Sequence, residues 1–197
     1  SAFVACKPEL DAAGVTESPL RWSHFLGQIG AETGGLKIVR EDMRYRADRI
    51  LQVFGRGKHS ARVTPAEAQR LAGDAEALAE RVYGLGNPSM AKRLGNDEEG
   101  DGYAYRGWGP GQITGKGKSI EYGERMGLDF EIQPELLEDA AVGLKAMLME
   151  WREKDCNKFA DSNQIGCISR AINLGNPYAK ATPNGMANRQ AAYDKAW

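Results

Sequence analysis

The stretch from Leu20 to Gly35 constrains the fold most. Leu20, Trp22, Phe25, Leu26 and Ile29 recur at helical spacing, which makes one apolar face of an amphipathic helix. Ser18 before Pro19 supplies an N-cap and a first helical residue that needs no N–H. Glu32 falls in the last turn, and Gly34-Gly35 is expected to end the helix. The apolar face thus anchors the helix while its final turn delivers a carboxylate to the surface. A carboxylate on such half-apolar ground is a candidate for a raised pKa, because burial disfavours the charged form. Glu41 opens the run Glu41-Asp42-Met43-Arg44-Tyr45-Arg46, which is polar and rich in arginine, so Glu41 is expected to stay ionised. Two carboxylates in contrasting surroundings are what glycoside hydrolysis uses. The plainer reading is a solvated Glu32 and a Glu41 paired with Arg40, Arg44 or Arg46.

The rest of the chain reads as a succession of short helices. Lys7–Ala13 is one, closed by Gly14, and Ala47–Phe54 is another. Thr64-Pro65-Ala66-Glu67 is a capping box with proline at the first helical position. Its helix runs to about Ala72, and Gly73-Asp74 starts a second piece with Leu78, Val82 and Tyr83. A short turn of helix is expected at Met90–Leu94 and a longer helix at Ser119–Met126. From Gln133-Pro134-Glu135 a strong helical region follows, with Leu136, Leu137, Ala140, Leu144, Met147, Leu148 and Trp151 as its buried stripe. Gln164–Asn173 and Met186–Ala196 complete the set. Repeats and strongly alternating strands are absent from the sequence. The expected fold class is therefore mainly α, with at most one small β-hairpin near residues 103–114.

Composition bounds the function. The 197 residues are 42% hydrophobic, enough for a single catalytic domain over 1–197, or a domain with a lobe. Apolar runs stay far below the length of a membrane span, so a soluble chain is expected. Ser1-Ala2-Phe3-Val4-Ala5-Cys6 lacks the basic region of a signal peptide, and this start in mid-pattern leaves room for further residues upstream. A net charge of −1 argues against nucleic acid as a partner. Lys37, Arg40, Arg44, Arg46 and Arg49 nevertheless cluster after Glu32, as a cationic rim for an anionic polymer or as a solvated face. Cys6, Cys156 and Cys167 do not make a disulfide framework. Cys156 and Cys167 are close enough in sequence to bridge, yet free buried thiols are the default. His24 and His59 stand alone, without the spacing of a zinc site, so neither a metal nor a cofactor is expected.

The stretch from Gly95 to Gly117 differs in kind. Between its glycines lie Tyr103, Tyr105, Arg106, Trp108, Gln112 and Thr114. Aromatic rings offer flat faces to sugars, amides and hydroxyls offer hydrogen bonds, and glycine lets backbone approach a ligand. Tyr103 or Trp108 is expected at the edge of a cleft that Gln112 and Thr114 face. Gly115-Lys116-Gly117-Lys118-Ser119 lacks phosphate-loop spacing.

These pieces together resemble glycoside hydrolase family 19, the chitinases and, more closely, the phage endolysins of that family. The resemblance rests on Glu32-Thr33-Gly34-Gly35, Glu41 with Tyr45, Ala79-Glu80-Arg81-Val82-Tyr83-Gly84 and Arg93-Leu94-Gly95-Asn96. It continues through Gly100-Asp101-Gly102-Tyr103, Tyr105-Arg106-Gly107, Gly109 to Gly115, Gln133-Pro134-Glu135-Leu136 and Ile172-Asn173. They fall in the family's order along nearly the whole chain.

The resemblance implies a lysozyme-like, two-lobed helical fold with a substrate cleft. Glu32 would be the general acid and Glu41 the general base of an inverting reaction, with carboxyls roughly 6.5–9.5 Å apart. Thr114 would help hold the water. Gln112 and Asn173 would bind an N-acetyl sugar, with Tyr45, Tyr103 and Arg106 as further substrate contacts and Arg189 near the acid. The implied partner is a peptidoglycan or chitin strand and the implied state a monomer acting at the cell wall. Departures from the family pattern are Ala31 in place of histidine, Asp42 and Arg44 in place of asparagines, and Trp108 between Gly107 and Gly109. These changes favour an acidic, peptide-bearing glycan over neutral chitin. A chitinase and a binding module that has lost catalysis are the alternatives.

Overall fold

The computed structural model describes residues 1–33 and 40–197. Helices run in chain order as α1 (Ala2–Ala5), α2 (Lys7–Ala12), α3 (Pro19–Glu32), α4 (Ala47–Phe54), α5 (Pro65–Leu71), α6 (Ala75–Val82) and α7 (Pro88–Leu94). They continue as α8 (Asp101–Ala104), α9 (Lys116–Met126), α10 (Ala140–Glu153), α11 (Cys156–Asp161), α12 (Ile165–Leu174) and α13 (Met186–Ala196). Among the described residues there is no β-sheet, only isolated bridges. The protein is mainly α, as the sequence requires. The short hairpin reduces to one antiparallel bridge between Trp108 and Ile113, because Asp101–Ala104 forms α8 in place of a strand.

Local signals set most boundaries. The Ser18 side chain accepts the Arg21 N–H at 3.1 Å and starts α3. Thr64 and Glu67 form the reciprocal capping box at α5, and Asp74 caps α6. The helical region expected from Gln133 is broken. A 3-10 turn covers Pro134–Glu138, and Asp139 then caps α10 by accepting the N–H groups of Ala141 and Val142. Aspartate competes for backbone donors in this way and resets a helix. Leu136 therefore precedes α10, and Ala140 at its first turn is exposed. Helices α1 and α11 escaped the sequence reading, being short and without a periodic stripe. The C-cap of α3 is Thr33; Gly34, Gly35 and Lys37 lie outside the described residues.

The chain divides into two compact units. The first comprises Ser1–Val39, Gly109–Gly111 and Leu137–Trp197. Its core brings Phe25 and Ile29 of α3 against Met147, Trp151 and Ile168, with Phe25 and Trp151 meeting edge to face at 5.2 Å. Trp151 Nε1 donates to Asn157, which in turn donates to the Ala13 carbonyl. Cys6 and Cys156 are buried free thiols, Cys167 is a partly exposed one, and burial pushes the Cys156 thiol up to about 12.

Helix α3 buries more than the expected apolar stripe. Ser23, His24 and Gln28 are buried as completely as Phe25, whereas Leu20, Trp22 and Leu26 stay partly exposed. The reason is α13, which packs along the small and polar side of α3. Ser23 Oγ donates to the Ala196 carbonyl, His24 stacks on Tyr193 at 4.4 Å, and Tyr193 backbone lies over Gly27. A Cβ on Gly27 would meet Tyr193 backbone at 3.1 Å, tighter than an ordinary contact, so α13 would have to give by a few tenths of an ångström to admit it.

The second unit comprises Arg40–Trp108 and Gln112–Leu136. Met43, Ile50, Phe54, Leu78 and Val82 form its core. The motif residue Asn96 staples it: Nδ2 donates to the Tyr83 carbonyl and Oδ1 accepts the Lys116 N–H, joining the end of α6 to the start of α9.

Gly27→Ala is expected to lower stability by about 1–3 kcal/mol through overpacking against backbone, despite a helix-propensity gain of about 1 kcal/mol. Gly30→Ala meets only the Ala192 methyl and is expected to cost less. Urea denaturation of both variants checks the order, and equal stabilities would refute the close approach.

Candidate active site

In the first unit the carboxylate of Glu32 ends a line of polar side chains. Arg189 of α13 donates from Nη2 to Glu32 Oε1 at 2.5 Å and from Nη1 to Gln28 Oε1 at 2.6 Å. Gln28 passes the line on by donating to Ser169 Oγ at 3.2 Å. The Nε of Arg189 donates to the Asn184 carbonyl, and Asn184 N–H donates to Asn173 Oδ1 at 2.9 Å. Arg189 is 2% exposed, so its charge depends on Glu32 for compensation, since an unpaired buried charge is costly. The planar guanidinium reaches three acceptors at once, which an ammonium cannot do in this geometry. Glu32, Asn173 and Arg189 are thus brought together, with Gln28 and Ser169 between them. Sequence reading missed Gln28, although a glutamine four residues before Glu32 on the same helix is the signal that finds it.

In the second unit Glu41 is held by backbone and by a phenol. Its N–H donates to the Gly107 carbonyl at 2.8 Å, and its Oε1 accepts the Tyr83 hydroxyl at 3.0 Å. Gly107 N–H approaches Oε2 at 3.4 Å, and Arg106 Nε donates to the Glu41 carbonyl at 3.3 Å. Arg106 is buried, sandwiched between Tyr103 at 4.0 Å and Trp108 at 4.4 Å, and its Nη1 donates to the Tyr103 carbonyl. A Cβ at position 107 would meet Gln112 Oε1 at 2.5 Å and Glu41 Cβ at 3.4 Å. Gly107 therefore leaves the Gln112 amide and Glu41 on either side of bare backbone. Thr114 Oγ1 donates to the Gln112 carbonyl at 2.9 Å, and Gln112 itself holds a left-handed φ of 48°. The second unit thus gathers Glu41, Tyr103, Arg106, Gln112 and Thr114. Tyr45 lies close enough that Glu41's charge, after burial, raises its hydroxyl pKa.

Two expectations change here. Trp108 is 5% exposed and donates Nε1 to the Ala104 carbonyl, so it is a packing residue and not a ring at an edge; Tyr103 is the partly exposed one. Glu41 does not sit among solvated arginines: Arg44, Arg46 and Arg49 are exposed and engage Asp42, Asp48 and Gln52 locally. Burial raises the Glu41 carboxyl above its ordinary range, opposed by the Tyr83 hydroxyl, the Gly107 N–H and the Arg106 charge. Tyr83, which sequence reading placed on a helix and in a motif but gave no role, is held protonated by burial and by Glu41.

The described residues contain no group of three or more His, Cys, Asp or Glu able to hold a metal ion. Two held carboxylates on a helical framework are the parts that two-carboxylate glycoside hydrolysis employs. No family model matches the chain. A protein of Haemophilus influenzae (strain ATCC 51907 / DSM 11121 / KW20 / Rd), named a glycosyl hydrolase family 19 domain-containing protein, is 29% identical to it over 175 residues, 88% of this chain and 80% of the relative. That similarity supports assigning the chain to glycoside hydrolase family 19.

The raised Glu41 carboxyl has a consequence for stability. A folded-state pKa above the unfolded one contributes stability that is present below the unfolded value and lost as pH rises through the folded value. Glu41→Gln is therefore expected to melt higher than the parent at neutral pH, with the gain vanishing near about pH 4, where the unfolded glutamate takes up its proton. Melting curves at both pH values check this, and a gain larger in acid would contradict the burial of Glu41.

Proposed function

We propose that the protein is a peptidoglycan-degrading glycosidase that cleaves β-1,4 bonds between N-acetylated sugars with inversion. Glu32 protonates the glycosidic oxygen and Glu41 draws a proton from the attacking water. The observation that carries this reading is the way each glutamate is held. Glu32 is fixed by a guanidinium that reaches three acceptors. Glu41 is fixed by Tyr83 and by its own backbone on Gly107. A carboxylate whose basicity is raised by burial takes a proton from water more readily. The Tyr83 hydroxyl steadies its charged form. Thr114 and Gln112 act as hydrogen-bonding neighbours of Glu41 for water and an N-acetyl group. Asn173 acts on the Glu32 side. The family assignment agrees with a glycosidase in general.

Within that class, a wall glycan bearing peptide carboxylates fits this chain better than neutral chitin. Arg44, Arg46 and Arg49 are exposed close to Glu41 in sequence. Arg44 and Asp42 stand where the family has asparagines. The proposal includes action at the bacterial cell wall, in the manner of an endolysin, with the chain working as a monomer.

Glu32→Gln keeps an acceptor for Arg189 but removes its counter-charge, so it is expected to fold with lowered stability and to lose about 10²–10⁴-fold in turnover, the usual contribution of a general acid. Mass spectrometry of muropeptides released by the parent should show hydrolysed reducing ends. Anhydro ends would mean that water is not the acceptor, and activity of the Gln variant within a few-fold of the parent would remove Glu32 from the role.

A further inference from the structure

The loop 55–63 of the second unit carries Arg56, Lys58 and Arg62 and contains no Asp or Glu, in a chain whose net charge is −1. Its ends are tied by the Val63 N–H donating to the Phe54 carbonyl at 2.9 Å. Inside, Lys58 and His59 N–H groups both donate to the Gly55 carbonyl, and Arg62 N–H donates to the His59 carbonyl. The loop is thus folded on itself, and Arg56, Gly57, Lys58, His59, Ser60 and Arg62 line one shallow hollow, about 510 Å³ and open to solvent. Arg56, Lys58 and Arg62 are exposed and, among the described residues, make no ion pair. Three like charges repel one another, so their gathering weakens the loop unless an anion answers them.

The other polar side chains of the hollow, His59 and Ser60, are also able to donate. His59 Nδ1 accepts the Ala61 N–H at 3.1 Å, which leaves the proton of the neutral ring on Nε2. Burial, then the charges of Arg93 and Arg81, keep that ring neutral at pH 7 by lowering its pKa. Ser60 Oγ accepts from Asn87 Nδ2 at 3.0 Å, so its hydroxyl hydrogen is available. Arg62 holds a left-handed φ of 49°, a conformation that disfavours arginine and that persists where the surroundings enforce it. The hollow also adjoins the Glu41 cluster. The His59 ring packs at 6.3 Å on Tyr83, whose hydroxyl donates to Glu41.

We infer that this hollow binds the carboxylates of the peptide branches on the glycan, so that loop 55–63 selects peptide-bearing strands. The inference rests on the peptidoglycan reading above, and it is distinct from the cationic run at Arg40–Arg49, where Arg46 pairs with Asp48. The carboxylates of a peptide branch are complementary to three cations that no acid of the loop answers.

The test is a titration of the full, isotope-labelled chain, followed by backbone amide NMR. The probe is a free murein stem tripeptide, run beside the same peptide with its carboxylates amidated and beside a teichoic acid phosphodiester fragment. The expected result is a shift of the 55–63 amides with the carboxylate peptide alone, suppressed by salt as exposed charges are screened. No shift, equal shifts with the amidated peptide, or shifts with the phosphodiester only would overturn the assignment. Because this readout needs no catalysis, it stands even if the parent proves inactive on murein, which would sink the functional reading instead. In the active enzyme, Arg56→Gln with Lys58→Gln and Arg62→Asn (asparagine tolerates the left-handed backbone) should raise KM on intact murein about tenfold. Turnover of peptide-stripped strands should be unchanged, and equal losses on both substrates would also overturn the inference.

Discussion

The guanidinium of Arg189 is the contact on which the first unit depends. A cation at 2% exposure has no water to fall back on, and the pairing with Glu32 and Gln28 is what makes its burial tolerable. Helix α13 has little apolar surface with which to hold itself, and Tyr193 is its main buried ring. Close approach at Gly27, the stacking of Tyr193 on His24 and the Arg189 hydrogen bonds take the place of a greasy stripe. The same contacts fix the carboxylate at the end of α3. Structure and candidate chemistry in this unit thus rest on one network, and a change at Arg189 is felt by both.

The second unit solves a related problem without a buried ion pair at the carboxylate. Glu41 is positioned by main chain, by the Tyr83 hydroxyl and by the absence of a side chain at Gly107. Arg106 supplies its charge from a stacked position between Tyr103 and Trp108 and donates to the Glu41 carbonyl, not to its carboxylate. The carboxyl is consequently left with a raised pKa, which costs stability and gives basicity. Its surroundings are drier than the arginine-rich sequence around it suggests, because those arginines turn outward.

Much of this was legible in the chain itself. The Ser18-Pro19 start of α3 and the Thr64 capping box follow from local chemistry that needs no tertiary partner. The family resemblance came from the order of short motifs, which no single glutamate could supply. What stayed hidden was set by packing between distant residues. The burial of His24 and Gln28 depends on α13, far along the chain. Trp108 reads as a sugar platform by type, but a neighbouring arginine and the Ala104 carbonyl draw it inward. The break at Asp139 lies in a run of strong helix formers, where one side chain capturing two N–H groups outweighs propensity. Tyr83 carries no periodic signature that distinguishes a partner of Glu41 from a core ring.

The proposed division of labour, Glu32 as acid and Glu41 as base for a water, is tested most directly by the anomer formed first. Proton NMR of a β-linked N-acetylated oligosaccharide, recorded within the first turnovers, should show the α-anomer ahead of mutarotation, as single displacement by water requires. The β-anomer appearing first would mean retention, with a carboxylate attacking carbon, and would contradict the assignment of Glu41 as a base.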